Sequence, residues 1–209
     1  MTYIRYARYA LIAGALLLIP GTATAQSPVP DLELSVPGVD QCEIAPLTAD
    51  DLAALSENAS PASSPVVPLE MPNTEAATPT PFVAPQGTPV RGDVAARVES
   101  IVVQYYACQN ATDQLRMLAL LSDRYLEQII GQGDIDPETL ATSGTPIPAR
   151  AESEQLAIAL NGMIEIEPGL YAVDVVGVDQ ASNEEFTDYL IVIDQDGELR
   201  IDEVLRLSN

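Results

Sequence analysis

Leu156-Ala157-Ile158-Ala159-Leu160-Asn161-Gly162-Met163-Ile164-Glu165-Ile166-Glu167 is a run in which apolar side chains recur at every second position. Leu156, Ile158, Leu160, Ile164 and Ile166 are expected on one face and Asn161, Glu165 and Glu167 on the other, as in a strand with one buried side. Pro168-Gly169 closes the run with a tight turn, and Leu170 to Val178 follows, apolar on both faces apart from Asp174. A strand without a polar face is central in its sheet or covered on both sides. After the polar loop Asp179–Glu185, a third strand runs from Phe186 to Ile193. Asp194-Gln195-Asp196-Gly197 reads as a hairpin turn, and Leu199 to Leu207 forms the last strand. The expectation is an antiparallel sheet of about four strands.

Upstream of the sheet the period changes. From Asp93, a good N-cap, Val94, Val98, Ile101, Val102, Tyr105 and Cys108 recur at spacings of three and four, the stripe of an amphipathic helix. Asn110 and Asp113 mark a break, and Thr112 or Asp113 can cap a second helix. Leu115, Leu118, Ser122, Tyr125, Leu126 and Ile129 continue its stripe until Gly131 and Gly133 end it. The Pro-containing loop from Asp134 to Arg150 has room for one helical turn at Pro137–Ala141. Helices followed by a meander of strands make an α+β domain, residues 93–209, with the N-terminal helices packed on the sheet.

The remaining N-terminal part divides into three. Arg5 and Arg8, the apolar run Ala10–Ile19 and the small-x-small site Ala23-Thr24-Ala25 read as a signal peptide, residues 1–25, which makes the mature protein secreted or otherwise extracytoplasmic. A retained membrane anchor is the alternative, but the apolar run falls short of the roughly 20 residues that a spanning helix needs. Residues 26–55 form an arm with a short helix, in which Thr48 caps and Asp51 stands at the capping-box position ahead of Leu52 and Leu55. Residues 56–92 carry eight prolines among many Ala, Ser and Thr, the composition of a disordered linker.

Composition excludes much chemistry. The chain has no His, Lys or Trp. Triads built on His, His-ligated zinc and lysine Schiff bases are therefore out, and the residues imply neither a cofactor nor a metal. Loss of residues 1–25 removes Arg5 and Arg8 and no acid, leaving 7 basic against 31 acidic side chains and a formal charge of −24. Such a surface repels phosphate backbones and anionic lipid, which argues against nucleic acid and, after signal cleavage, against membrane. Cys42 and Cys108 are the two cysteines, and an even count in an oxidising compartment favours a disulfide between them; two free thiols are the alternative. Asp194-x-Asp196-Gly197 lacks the further ligands of a calcium loop and is explained by a hairpin.

Tyr105-Tyr106-Ala107-Cys108-Gln109-Asn110-Ala111-Thr112-Asp113 is similar to the first-helix ending of the nuclear transport factor 2-like (SnoaL-like) superfamily. Leu199-Arg200-Ile201-Asp202-Glu203-Val204 resembles that family's closing Trp-x-Ile-Asp-Glu strand, with Leu199 where an aromatic is commonest. The resemblance covers about Asp93 to Leu207. It implies a cone-shaped α+β domain whose curved sheet wraps a long helix and leaves a pocket at one end. Its relatives include isomerases, dehydratases, cyclases and domains that only bind or associate, so the fold does not settle function.

Asp174 is the candidate catalytic residue, the one acid inside an apolar strand. In ketosteroid isomerase-like relatives a pocket Asp is the general base beside a Tyr donor, and Tyr105, Tyr171 and Tyr189 are the candidate donors and ligand-binding groups. A solvent-facing pleat, or a pair with Arg200, would explain Asp174 without chemistry. The leading expectation is a non-enzymatic module that binds a small apolar ligand or a protein partner. The alternatives are an isomerase or dehydratase using Asp174 with a Tyr, and a structural domain that forms a homodimer through the open face of its sheet.

Overall fold

The computed structural model describes residues 32–58, 84–142 and 147–207; the signal-peptide region and most of the Pro-rich linker lie outside them. The sheet is antiparallel, in chain order: β1 (Thr88–Pro89), β2 (Leu156–Glu167), β3 (Leu170–Asp179), β4 (Glu184–Gln195) and β5 (Glu198–Leu207). The α+β class and the long meander are as expected, with β3 central. The strand count is five rather than four, because the end of the linker adds itself to the β2 edge. Pro89 can occupy that edge because an outer strand does not need every backbone donor. The approach requires Gly87, since a Cβ there would stand 2.3 Å from the Glu165 carbonyl oxygen.

The turns follow local chemistry. Asp196 and Gly197 are the two loop residues of the β4–β5 hairpin, both with positive φ (57° and 87°), as a type I′ turn requires. The period of β2 departs from expectation. Asn161 is an extra residue between the pairs Leu160–Val175 and Gly162–Asp174, a bulge that shifts the alternation by one. Leu156, Ile158, Leu160 and Met163 therefore face one side, and Ile164 faces the other with Ala157 and Ala159. The expectation that Ile164 shares a face with Leu156 is corrected by that single insertion.

Helix α1 (Ala49–Asn58) starts as read. The Asp51 backbone N–H donates to Thr48 Oγ1 (3.2 Å), and the Thr48 backbone N–H donates to Asp51 Oδ2 (2.8 Å). Helix α2 (Gly92–Asn110) is the long helix under the sheet, with Val98, Ile101, Val102, Tyr106, Ala107 and Cys108 buried. Asp93 is in its first turn rather than at its cap, which falls on Arg91. The expected single second helix is two, α3 (Gln114–Ala119), capped by Asp113, and α4 (Asp123–Gly131), capped by Ser122. The break arises because Leu120, Leu121 and Ser122 give their backbone to β5: Ile201 N–H donates to the Leu120 carbonyl, and Ser122 N–H to the Ile201 carbonyl. Helix α5 (Pro137–Thr142) completes the set.

The described residues from Leu32 onward form one compact unit, so the arm belongs with the sheet. Ser35 exchanges two backbone hydrogen bonds of 2.8 Å with Ile158, and the Cys42–Cys108 disulfide (S–S 1.97 Å) fastens the arm to α2. Fully buried Asn110 is the third tie. Its amide donates to the carbonyls of Pro37 and Leu156 and its Oδ1 accepts from Leu156 N–H. Leu52 of α1 is buried, as the short helix needs for its stability.

The disulfide closes a loop with a sequence separation of 66. Replacing both cysteines by serine is expected to lower unfolding free energy by about 2–4 kcal/mol, measured as a shift of the urea midpoint. An unchanged midpoint would show that the arm is held by Ser35 and Asn110 alone.

Asp202 ties β5 to α4, accepting from Ser122 Oγ (2.5 Å) and, as a fork, from Arg124 Nε and Nη2 (3.0 and 2.6 Å). Burial pushes its carboxyl up, but the Arg124 and Ser122 hydrogen bonds outweigh burial and hold it below the ordinary value. A lowered folded value means the stabilisation is complete above the unfolded value of about 3.9 and is lost as pH falls through the folded one. Asp202→Asn is expected to cost about 1 kcal/mol at pH 7, with the gap to wild type narrowing below about pH 4 in thermal melts across pH.

Candidate functional site

The sheet carries two aspartates at its centre, and strand alternation sends them to opposite faces. β4 pairs with β3 so that Asp188 stands opposite Val175, and Tyr189 opposite Asp174. Val173 and Val175, with Phe186, Leu190 and Val192, form the inner row that packs against the helices. Asp188 is in that row and is fully buried.

A buried carboxylate must be paired and hydrogen-bonded, and Asp188 is both. Tyr106 Oη donates to its Oδ2 at 2.8 Å, while Arg206 donates Nε to Oδ1 (2.9 Å) and Nη2 to Oδ2 (3.0 Å). The Arg206 guanidinium lies 5.0 Å over the Phe186 ring, Phe186 stacks 6.1 Å from Tyr106, and Tyr105 meets Tyr106 edge-on at 5.3 Å. Burial, followed by the charge of Asp188, pushes the Tyr106 hydroxyl far above its ordinary value. Burial first, and then Tyr125 and Asp188, does the same to Tyr105. Neither phenol can ionise at neutral pH, and both carboxylate oxygens are occupied. The arrangement is a polar knot, with Tyr106 and Asp188 buried and the Arg206 side chain reaching Asp188 from a position that is 61% exposed.

Asp174 lies on the other face. Asn161, the bulge residue, donates Nδ2 to its Oδ2 at 2.6 Å, whereas Oδ1 is buried without a hydrogen-bond partner. Tyr189 is its cross-strand neighbour, with a hydroxyl pushed up by burial and then by the charge of Asp174. Ile164, Ala172, Val176, Val178, Ile191 and Leu205 share this outer face by register. None of them belongs to the core cluster that contains the helices.

The sequence-predicted residues therefore separate. Asp174 and Tyr189 stand together outside; Tyr171, in register with Val192, is buried inside, and Tyr105 is on α2 under the sheet. Arg200 does not pair with Asp174. It donates to the Ala119 carbonyl (3.2 Å) and to Glu198 (2.5 Å). Grooves of about 320–510 Å³ run along the arm, α1 and α2, and five of them are lined by neither Asp174 nor any tyrosine. Among the described residues no group of three His, Cys, Asp or Glu could hold a metal ion, and no helix is long and apolar enough to cross a membrane.

The chain matches no protein-family model, no curated protein and no solved structure. The chemistry of the site thus rests on its own residues.

Asp188, Arg206 and Tyr106 carry more of the structure than sequence reading assigned them. One trace was available: Asp188 interrupts the row Phe186, Leu190, Val192, a polar residue in the apolar phase of its strand. Because the complementary row, Tyr189, Ile191 and Ile193, is apolar too, alternation does not say which row is inside.

Tyr106→Phe removes one donor to a buried charge and is expected to destabilise by about 2 kcal/mol. Arg206→Met removes the counter-ion of the buried carboxylate, but the Arg206 side chain is 61% exposed and the pair is screened by solvent, so the cost is expected to be no greater, about 1–2 kcal/mol. Urea unfolding of both variants checks the order; a neutral Arg206→Met would show that the ion pair is not structural.

Proposed function

We propose that this chain is an exported module of the nuclear transport factor 2-like kind that works by protein association rather than catalysis, using the outer face of its sheet as the docking surface. The observation that carries the reading is the contrast between the two faces. The inner face is filled by helices and by the Tyr106–Asp188–Arg206 knot, while the outer one presents Ile164, Val176, Val178, Ile191 and Leu205 outside the helix-backed core. These side chains are half-buried and no helix covers them, and an apolar row of this kind is a candidate interaction surface.

The family assignment, with its cone-shaped wrap of a curved sheet, is part of the same proposal. It is supported by the order of helices before meander and by the place of Asp202, in the closing-strand motif, at the β5–α4 junction. Export is supported by the leader pattern of residues 1–25 and agrees with the Cys42–Cys108 disulfide.

Catalysis by Asp174 with Tyr189 is the weaker reading, because a general base gains from a site that excludes water and this pair stands on an outer sheet face. A small apolar ligand under the sheet is disfavoured by the packed tyrosines.

A photo-cross-linking residue at Tyr189 is expected to give a discrete protein adduct in extracytoplasmic extract of the producing organism. Ile191→Asp should abolish that adduct while leaving the far-ultraviolet circular dichroism unchanged. Adducts that survive Ile191→Asp, or their absence with folded protein, would contradict association through this face.

A further inference from the structure

We infer that the free edge of β2 takes an extended segment of a different protein, one that carries lysine or arginine, as an added strand. This surface is separate from the outer face and does not rest on the association reading above. Two pieces of the chain already add themselves to the β2 edge, and they leave a gap between them. β1 covers Ile164 and Glu165, and Val90 N–H donates to the Met163 carbonyl (3.1 Å). From the arm, Ser35 covers Ile158. Backbone groups of a strand alternate in direction, and Ile158 commits both of its own to Ser35, so Leu160 turns its N–H and C=O to the same side. Among the described residues no strand meets Leu160 there.

The gap is an opening rather than a closed seam. Had the arm kept its antiparallel pairing beyond Ser35, Glu33 would stand opposite Leu160, and no such pair forms. A groove of about 450 Å³ lies there instead, lined by Glu33 of the arm, Glu99 and Val103 of α2, and Leu160, Gly162 and Met163 of β2. Gly162 adds room, since nothing lies within 4 Å of where a Cβ on it would stand. Ile158 and Met163 are roughly 16 Å apart along an extended strand, length for about three residues of added chain. A strand edge with unused donors and acceptors, set in a groove, binds peptide by extending the sheet.

The lining sets the chemistry of the occupant. Glu33 and Glu99 bring two exposed carboxylates to the groove, neither in an ion pair among the described residues, and no basic residue lines it. Val103, Leu160 and Met163 supply apolar wall. An added strand sends alternate side chains to opposite faces, so a segment alternating basic and β-branched residues meets both. A second copy does not fit. The formal charge of the chain is −22, and a second β2 edge would bring another Glu33 and Glu99 to the first pair.

The test uses isotopically labelled protein from residue 26 onward and three seven-residue peptides. One alternates Val and Lys, the second is the same peptide N-methylated at its three central residues, and the third has Glu in place of Lys. In the free protein the Leu160 amide is expected to exchange with solvent faster than those of Ala159 and Gly162, which face β3. The Val–Lys peptide should slow that exchange, shift the Leu160 amide resonance, and bind at least about tenfold more tightly than either of the others. Glu33→Gln combined with Glu99→Gln should erase the preference for Lys over Glu. Equal binding of the N-methylated peptide would overturn strand addition, and equal binding of the Glu peptide would overturn the basic partner. A Leu160 amide already protected in the free monomer, a dimer formed through this edge, or no shift with any peptide would overturn the open edge itself. None of these outcomes touches the outer face, whose association is read from the adduct at Tyr189.

Discussion

The pairing register of β3 with β4 is the constraint on which the rest depends. With Asp174 opposite Tyr189 and Val175 opposite Asp188, one carboxylate enters the core and the other stays on the outer face. A slip of one residue would place Asp174 opposite Asp188 or Leu190, bringing both carboxylates to the same face with Arg206 as the one counter-ion given to Asp188. The register is held by the tight turns at either end of the meander, by the bulge at Asn161, and by the Asp188 knot, which is satisfied only when Tyr106 and Arg206 converge on it. Burying a charge thus acts here as a specificity device: a misregistered sheet would leave it unpaired.

From that register the two sides of the molecule acquire different roles. The inner side is closed by α2, by the aromatic stack of Tyr105, Tyr106 and Phe186, and by an arm that Ser35, Asn110 and the Cys42–Cys108 bond hold in place. The outer side has apolar rows interrupted by Glu185, Thr187 and Glu203, with the half-satisfied carboxylate of Asp174 among them.

Much of this was legible in the residues. The long strands follow their alternation, the Asp196-Gly197 turn follows from the demand for positive φ, and Thr48 with Asp51 announces a helix start. What was not legible depends on tertiary contact. A bulge is one unpaired residue, and nothing in Asn161-Gly162 distinguishes it from a continued strand, so the face of Ile164 was misassigned. The break between α3 and α4 exists because β5 takes the backbone of Leu120–Ser122, a partner some 80 residues away in sequence. Asp174 stands out in the sequence because its strand is otherwise apolar, but both rows of β3 and β4 are largely apolar, and only the helices decide which of them is the core.

The most direct test of the account is the accessibility of the two faces in solution. Side-chain methyl resonances of the protein from residue 26 onward can be recorded with and without a soluble paramagnetic agent. The account predicts strong broadening of Ile164, Val176, Val178, Ile191 and Leu205, with Val173, Val175, Leu190 and Val192 protected. Equal protection of both sets in the monomer, or broadening of the inner set, would contradict it.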